Sequence, residues 1–149
     1  MTALTTPTIK LPALSANNRR QDVRPLLDTA TRTIATALAR LDLCTHVPTW
    51  PAGPTTKTYH LPTIRAAAAQ IAQHARNHRC ERCTNHNLQM RAAARLAELW
   101  LELSRACIRY VTQPQRFPLH LAQRTAALLA DYVAWVITGR PHHLLGQPA

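Results

Sequence analysis

The residues best suited to chemistry are crowded into one segment, His74-x3-His78-x-Cys80-x2-Cys83-x2-His86. Two cysteines separated by two residues form the usual half of a structural zinc site. Both thiolates reach one ion while the backbone amides between them donate to the sulfurs. A tetrahedral site needs two more ligands; His86 and His78 are the nearest in sequence, with His74 one helical turn behind His78. Cys80, Cys83, His86 and His78 are thus the expected ligands and zinc the expected cofactor. The ion would staple a hinge between two helices, and its binding energy would be folding energy, because the unfolded chain has no such site. Cys44 and His46 are a second choice for completing the set, reachable if the long loop after Cys44 runs the first two helices parallel. Two competing readings make the pair inward-facing small apolar side chains or a redox disulfide. The polar neighbours Arg79, Glu81, Arg82, Thr84 and Asn85 disfavour the first, and no βαβ pattern supports the second.

The segment resembles that of the zinc-associated anti-sigma factors, helical proteins with a His-x3-Cys-x2-Cys pattern. Where that pattern has its histidine this chain has Arg76, so the resemblance is confined to the cysteine pair and assigns no family. No catalytic constellation accompanies the pair. There is no glycine-rich phosphate loop and no G-x-S-x-G. Glu98 and Glu102 are four apart, but they stand among Arg91, Arg95, Arg105 and Arg109, the pattern of a solvated ion-pair face. Glu81 is the acid nearest to a would-be catalytic zinc, and nothing fixes it. The expected class is non-enzymatic.

Charge points to partners. The 18 basic and 7 acidic residues leave +11, and all but Lys10 and Lys57 of the basic residues are Arg. A GC-rich genome accounts for Arg over Lys but not for the shortage of Asp and Glu. Such a field attracts nucleic acid, anionic membrane or an acidic protein surface. Residues 65–95 hold Arg65, Arg76, Arg79, Arg82, Arg91 and Arg95 against Glu81 alone. That local excess makes Arg76, Arg79, Arg82 and Arg91 the expected phosphate contacts for bound nucleic acid. The alternative is a helical adaptor or regulator that docks another protein, for example in transcription control.

The elements that position these residues are helical. Hydrophobic residues make up 46% of the chain but aromatics only 5%, there are three glycines, and no alternating β-branched run occurs. Residues 1–20 read as a flexible N-terminal tail, 21–139 as one helical domain and 140–149 as a flexible C-terminal tail. Helix 1 is expected from Asp22 to near Leu43, with Val23, Leu26, Leu27, Ala30, Ile34, Leu38 and Leu41 on one face. A proline-rich connection over 44–62 follows, pinned by Trp50 and Tyr59. Helix 2, capped by Thr63, runs to about His78; helix 3 spans roughly Asn85 to Val111, burying Leu96, Leu99, Trp100, Leu103, Cys107 and Val111. Helix 4 runs from about Pro118 to Thr138 and stops at Gly139, with Leu121 and Leu128 among its covering apolar residues. Residues 63–112 contain neither Gly nor Pro, but Asn77, Thr84, Asn85 and Asn87 mark a break between helices 2 and 3. The expected architecture is an all-α single-domain four-helix bundle or an irregular relative, with the Cys/His turn between helices 2 and 3. On a continuous helix 3, Cys107 lies roughly 35 Å from Cys83, which excludes one cluster of all four cysteines. In an up-down-up bundle Cys44 falls at the Cys107 end. No apolar run has membrane-spanning length and no secretory signal is visible, so a cytoplasmic location without a membrane partner is expected.

Overall fold

The computed structural model describes residues 21–77 and 87–139, without the side chains of 75–77 and 87. Among these residues the chain forms four helices and no strand: α1 (Arg24–Leu38), α2 (Leu61–Asn77), α3 (Asn87–Thr112) and α4 (Leu119–Ile137). The expected tails and the Cys/His turn lie outside the described residues.

Local chemistry sets most helix ends. Pro25 sits in the first turn of α1, where a missing N–H removes no helical bond. The Asp22 carboxylate accepts the Arg24 N–H at 3.0 Å. The helix stops at Leu38, short of the expected Leu43. Tight turns follow, with Arg40 N–H donating to Ala37 C=O (3.0 Å) and Leu41 N–H to Leu38 C=O (3.1 Å). Those turns keep Leu41 in the core without continuing the helix. Thr63 is not the cap of α2 but its third residue. The His60 carbonyl already accepts the Thr63 and Ile64 amides, so the helix starts earlier, with Pro62 in its first turn. At the other extreme Gly139 (φ +78°) closes α4 after Thr138, as expected.

Directions follow from bonds between elements. Gln21 N–H donates to Tyr110 Oη (2.7 Å), Trp100 Nε1–H to Thr31 Oγ1 (2.9 Å), and Asp42 N–H to Gln89 Oε1. Numbers rise along α1 as they fall along α3, so the two are antiparallel. Arg65 Nη2 donates to Ser104 Oγ (3.4 Å), which orients α2 against α3 the same way. Helices 2 and 3 therefore fold back on each other rather than forming one rod. Buried Ala67, Ala68 and Ala72 on α2 and Ala92, Ala93 and Ala97 on α3 let these two axes approach closely. α4 returns after the short connection 113–118 and packs on α3 and α1. α3 is thus one descending helix among three ascending ones, not part of an up-down-up sequence. Its central side chain, Trp100, is fully buried.

The connection 39–60 makes this order possible by carrying the chain back along the bundle. It is pinned as expected. Trp50 Nε1–H donates to Thr31 C=O (3.0 Å), its ring meets Trp100 edge-on with centroids 6.1 Å apart, and Tyr59 Oη donates to Asp28 Oδ1 (2.8 Å). Arg32 adds bonds to Thr56 C=O (2.7 Å) and Lys57 C=O (3.2 Å), and pairs with Asp28.

Two faces depart from expectation. Val111 is 38% exposed, and Tyr110 takes the inward place. Relative to Leu103, Tyr110 stands about 20° round the helix and Val111 about 80°, so the seam passes through the tyrosine. Leu121 and Leu128 are 36% and 51% exposed, because the buried side of α4 runs through Ala122, Ala126, Leu129, Val133 and Val136, roughly 100° away.

Candidate functional site

Parallel α1 and α2 place the C-terminal ends of both at one end of the bundle, together with the N-terminal end of α3. α4, also antiparallel to α3, brings its C-terminal end to the same side. Three sets of terminal carbonyls therefore face this end, a field that favours cations.

Cys44 and His46 lie here. The 44–47 turn is closed by Val47 N–H donating to Cys44 C=O (3.0 Å), and Cys44 Sγ stands 2.8 Å from His46 Nδ1. Cys44 is buried and packs with Met90 of α3, while His46 is exposed. Cys44 also lines an open apolar cleft of about 340 Å³ with Leu38, Val47, Trp50 and Ile71. It thus packs on α3 three residues after Asn87, and the cleft it lines is bounded on another side by Ile71 of α2. The placement at Cys107's end expected of an up-down-up bundle is corrected: Cys44 is at the opposite end.

Cys107 is a core residue, as its apolar face implied. It is 1% exposed, and burial pushes its thiol from the usual 9.0 up to about 11, which leaves it protonated and inert at neutral pH.

Of the expected metal ligands, His78, Cys80, Cys83 and His86 all lie outside the described residues, as do Arg79 and Arg82. Arg76 falls in the last turn of α2, with its side chain outside the description. His74 is half-buried on α2. Among the described residues no group of three His, Cys, Asp or Glu side chains is arranged to hold a metal.

Arg95 Nη1 lies between Glu98 (3.7 Å) and Glu102 (3.5 Å), on the expected ion-pair face. Arg91, near the start of α3, is exposed at the same end as Cys44. Arg40, just past α1, is exposed at the same end and was not singled out by sequence reasoning. Its only signal was a basic residue near a helix C-terminus.

What this geometry defines as a class is an all-helical bundle with a Cys–His pair at one end. Comparison with protein-family models, with curated proteins and with solved structures finds no match for the chain. Among the described residues no helix is long and apolar enough to cross a membrane.

Proposed function

We propose that this is a non-enzymatic, zinc-stapled helical protein that binds nucleic acid through the basic end of its bundle. The supporting observation is the topology. Parallel α1 and α2 bring the Cys44–His46 pair, Arg40 and Arg91 to the end where the Cys80/Cys83 connection leaves Asn77 and rejoins at Asn87. Zinc takes the Cys80/Cys83 thiolates as two of its ligands and fixes that connection. The arginines of and beside it, Arg76, Arg79, Arg82 and Arg91, contact phosphates. A cytoplasmic setting suits this chemistry, because a reducing compartment keeps the thiols available to metal.

The test is metal analysis of untagged protein together with gel retardation on duplex and single-stranded nucleic acid at rising salt. About one zinc per chain and salt-sensitive retardation are expected. Metal-free protein of unchanged thermal stability removes the zinc part, and no retardation at moderate salt removes the nucleic-acid part.

The second reading, an adaptor docking another protein, draws on α4. Leu121, Thr125, Leu128, Tyr132 and Trp135 follow gaps of four and three along one flank, with Leu128 51% exposed. Such a seam suits a partner helix. It takes precedence if retardation fails.

A further inference from the structure

We propose that the chain forms a symmetric dimer in which α4 packs antiparallel against α4 of a second copy. The proposal gives the exposed α4 seam one occupant, goes beyond the nucleic-acid reading and depends on neither zinc nor nucleic acid.

The apolar stripe is the first observation. Leu121, Leu128 and Trp135 recur every seven residues along α4; the two leucines are exposed and the tryptophan is half-buried. Viewed down the helix from Leu128, Leu121 and Trp135 stand about 20° to either side, so the three form one line. The side chains that α4 buries in the core, among them Ala122, Leu129 and Val133, lie roughly 100–140° away. A line with this period is what a pair of helices buries between them.

Charge selects the partner. Arg124 and Asp131 are exposed and stand about 40° and 60° from Leu128, both on the same flank of the stripe. No residue three or four places from either carries the opposite charge. Among the described residues neither makes a hydrogen bond or an ion pair.

A second copy satisfies both charges at once. A two-fold axis crossing the stripe at Leu128 sets Leu128 against itself and Leu121 against the partner's Trp135. The same axis keeps the two charged flanks on one side. It brings Arg124 within one residue rise, about 1.5 Å, of the level of the partner's Asp131. Symmetry then repeats the contact, so two reciprocal ion pairs form. In a parallel pair the charged flank would instead meet the side that carries the partner's Tyr132, and neither charge would find its counterpart. The stripe therefore supplies affinity and the charges set direction, since exposed ion pairs contribute little energy but discriminate between orientations. An interface of one helix per copy is small, so a micromolar dissociation constant is expected.

Analytical ultracentrifugation of the full-length protein under reducing conditions, from micromolar to millimolar concentration, reads the association directly. A monomer–dimer equilibrium is expected. Leu128→Glu opposes two carboxylates at the axis and should sediment as a monomer with its helical circular dichroism unchanged. Arg124→Asp and Asp131→Arg each turn both ion pairs into like-charge contacts, and each should weaken the dimer at least about tenfold. Mixing these two single variants should restore wild-type affinity, because one copy then offers two acids and the other two bases. A wild type that stays monomeric overturns self-pairing and leaves the seam to another protein's helix. A dimer that survives Leu128→Glu, or a mixture that fails to pair, overturns this interface. Each of these failures leaves the zinc and nucleic-acid readings where metal analysis and retardation put them.

Discussion

Thr31 is the side chain on which the core's polar groups converge. Its hydroxyl accepts from Trp100 Nε1 (2.9 Å) and donates to Leu27 C=O (2.8 Å), while its carbonyl accepts from Trp50 Nε1 (3.0 Å). Two indoles, one from the connection and one from α3, are thus satisfied by one residue of α1. Thr31→Val keeps the shape but leaves the Trp100 N–H buried without its acceptor, and should cost about 1–3 kcal/mol by chemical denaturation. Thr31→Ser should recover most of that loss, and equal stability of wild type and the valine variant would show that the relay contributes nothing. Trp100→Ala should cost about 3–5 kcal/mol, since a fully enclosed ring is removed. Cys107 makes a pH prediction. Its thiol titrates near 9.0 in the unfolded chain and at about 11 in the folded one. The unfolded state therefore loses its proton first, and stability falls as pH rises from 9 through about 11. Comparing denaturation midpoints of wild type and Cys107→Ala at pH 8 and above pH 10 should show a steeper alkaline loss in the wild type.

At the scale of elements, the connection 39–60 is a packed part of the fold. Arg32 is its main polar fastener, with bonds to two carbonyls and its guanidinium 5.8 Å from the Tyr59 ring centroid. Arg32→Met keeps much of the stem and removes every one of those polar contacts. Amide exchange at Thr56, Lys57 and Thr58 should then accelerate while the amides of α3 keep their protection, because local opening draws on local contacts. Unchanged exchange would assign the fastening to Trp50 and Tyr59 alone. α3 is the element on which the others depend, since it packs on each of the remaining helices.

For the whole molecule, the governing quantity is the net charge of +11. Counterion release makes affinity for nucleic acid fall linearly in log–log terms with salt. Replacing Arg76, Arg79 and Arg82 with Ala should weaken binding to all sequences alike and flatten the salt slope by up to about three units. Circular dichroism should show the fold intact. Wild-type binding by the triple variant would move the interface elsewhere on the surface.

Helix existence and phase were legible from the sequence, because 3.6-residue periodicity is a local property. Leu26, Ile34, Leu96, Leu103 and Val133 fall inward as their spacing implies. The Cys80/Cys83 pair is a reading of spacing alone and lies outside the described residues. Helix ends were less legible: α1 stops at Leu38 because turns that keep Leu41 buried replace another helical turn. Thr31 was illegible as a hub, since a threonine on an apolar face looks like any β-branched filler until the two indoles arrive from 19 and 69 residues away. The side of the bundle that holds Cys44 and His46 was open in the same sense, because it depends on the direction of α1 relative to α2. The tertiary structure alone decided that direction, through bonds from α1 and α2 to α3 and a connection long enough to return along the bundle. Periodicity is the same for a helix running either way, and only contacts between distant residues distinguish the two.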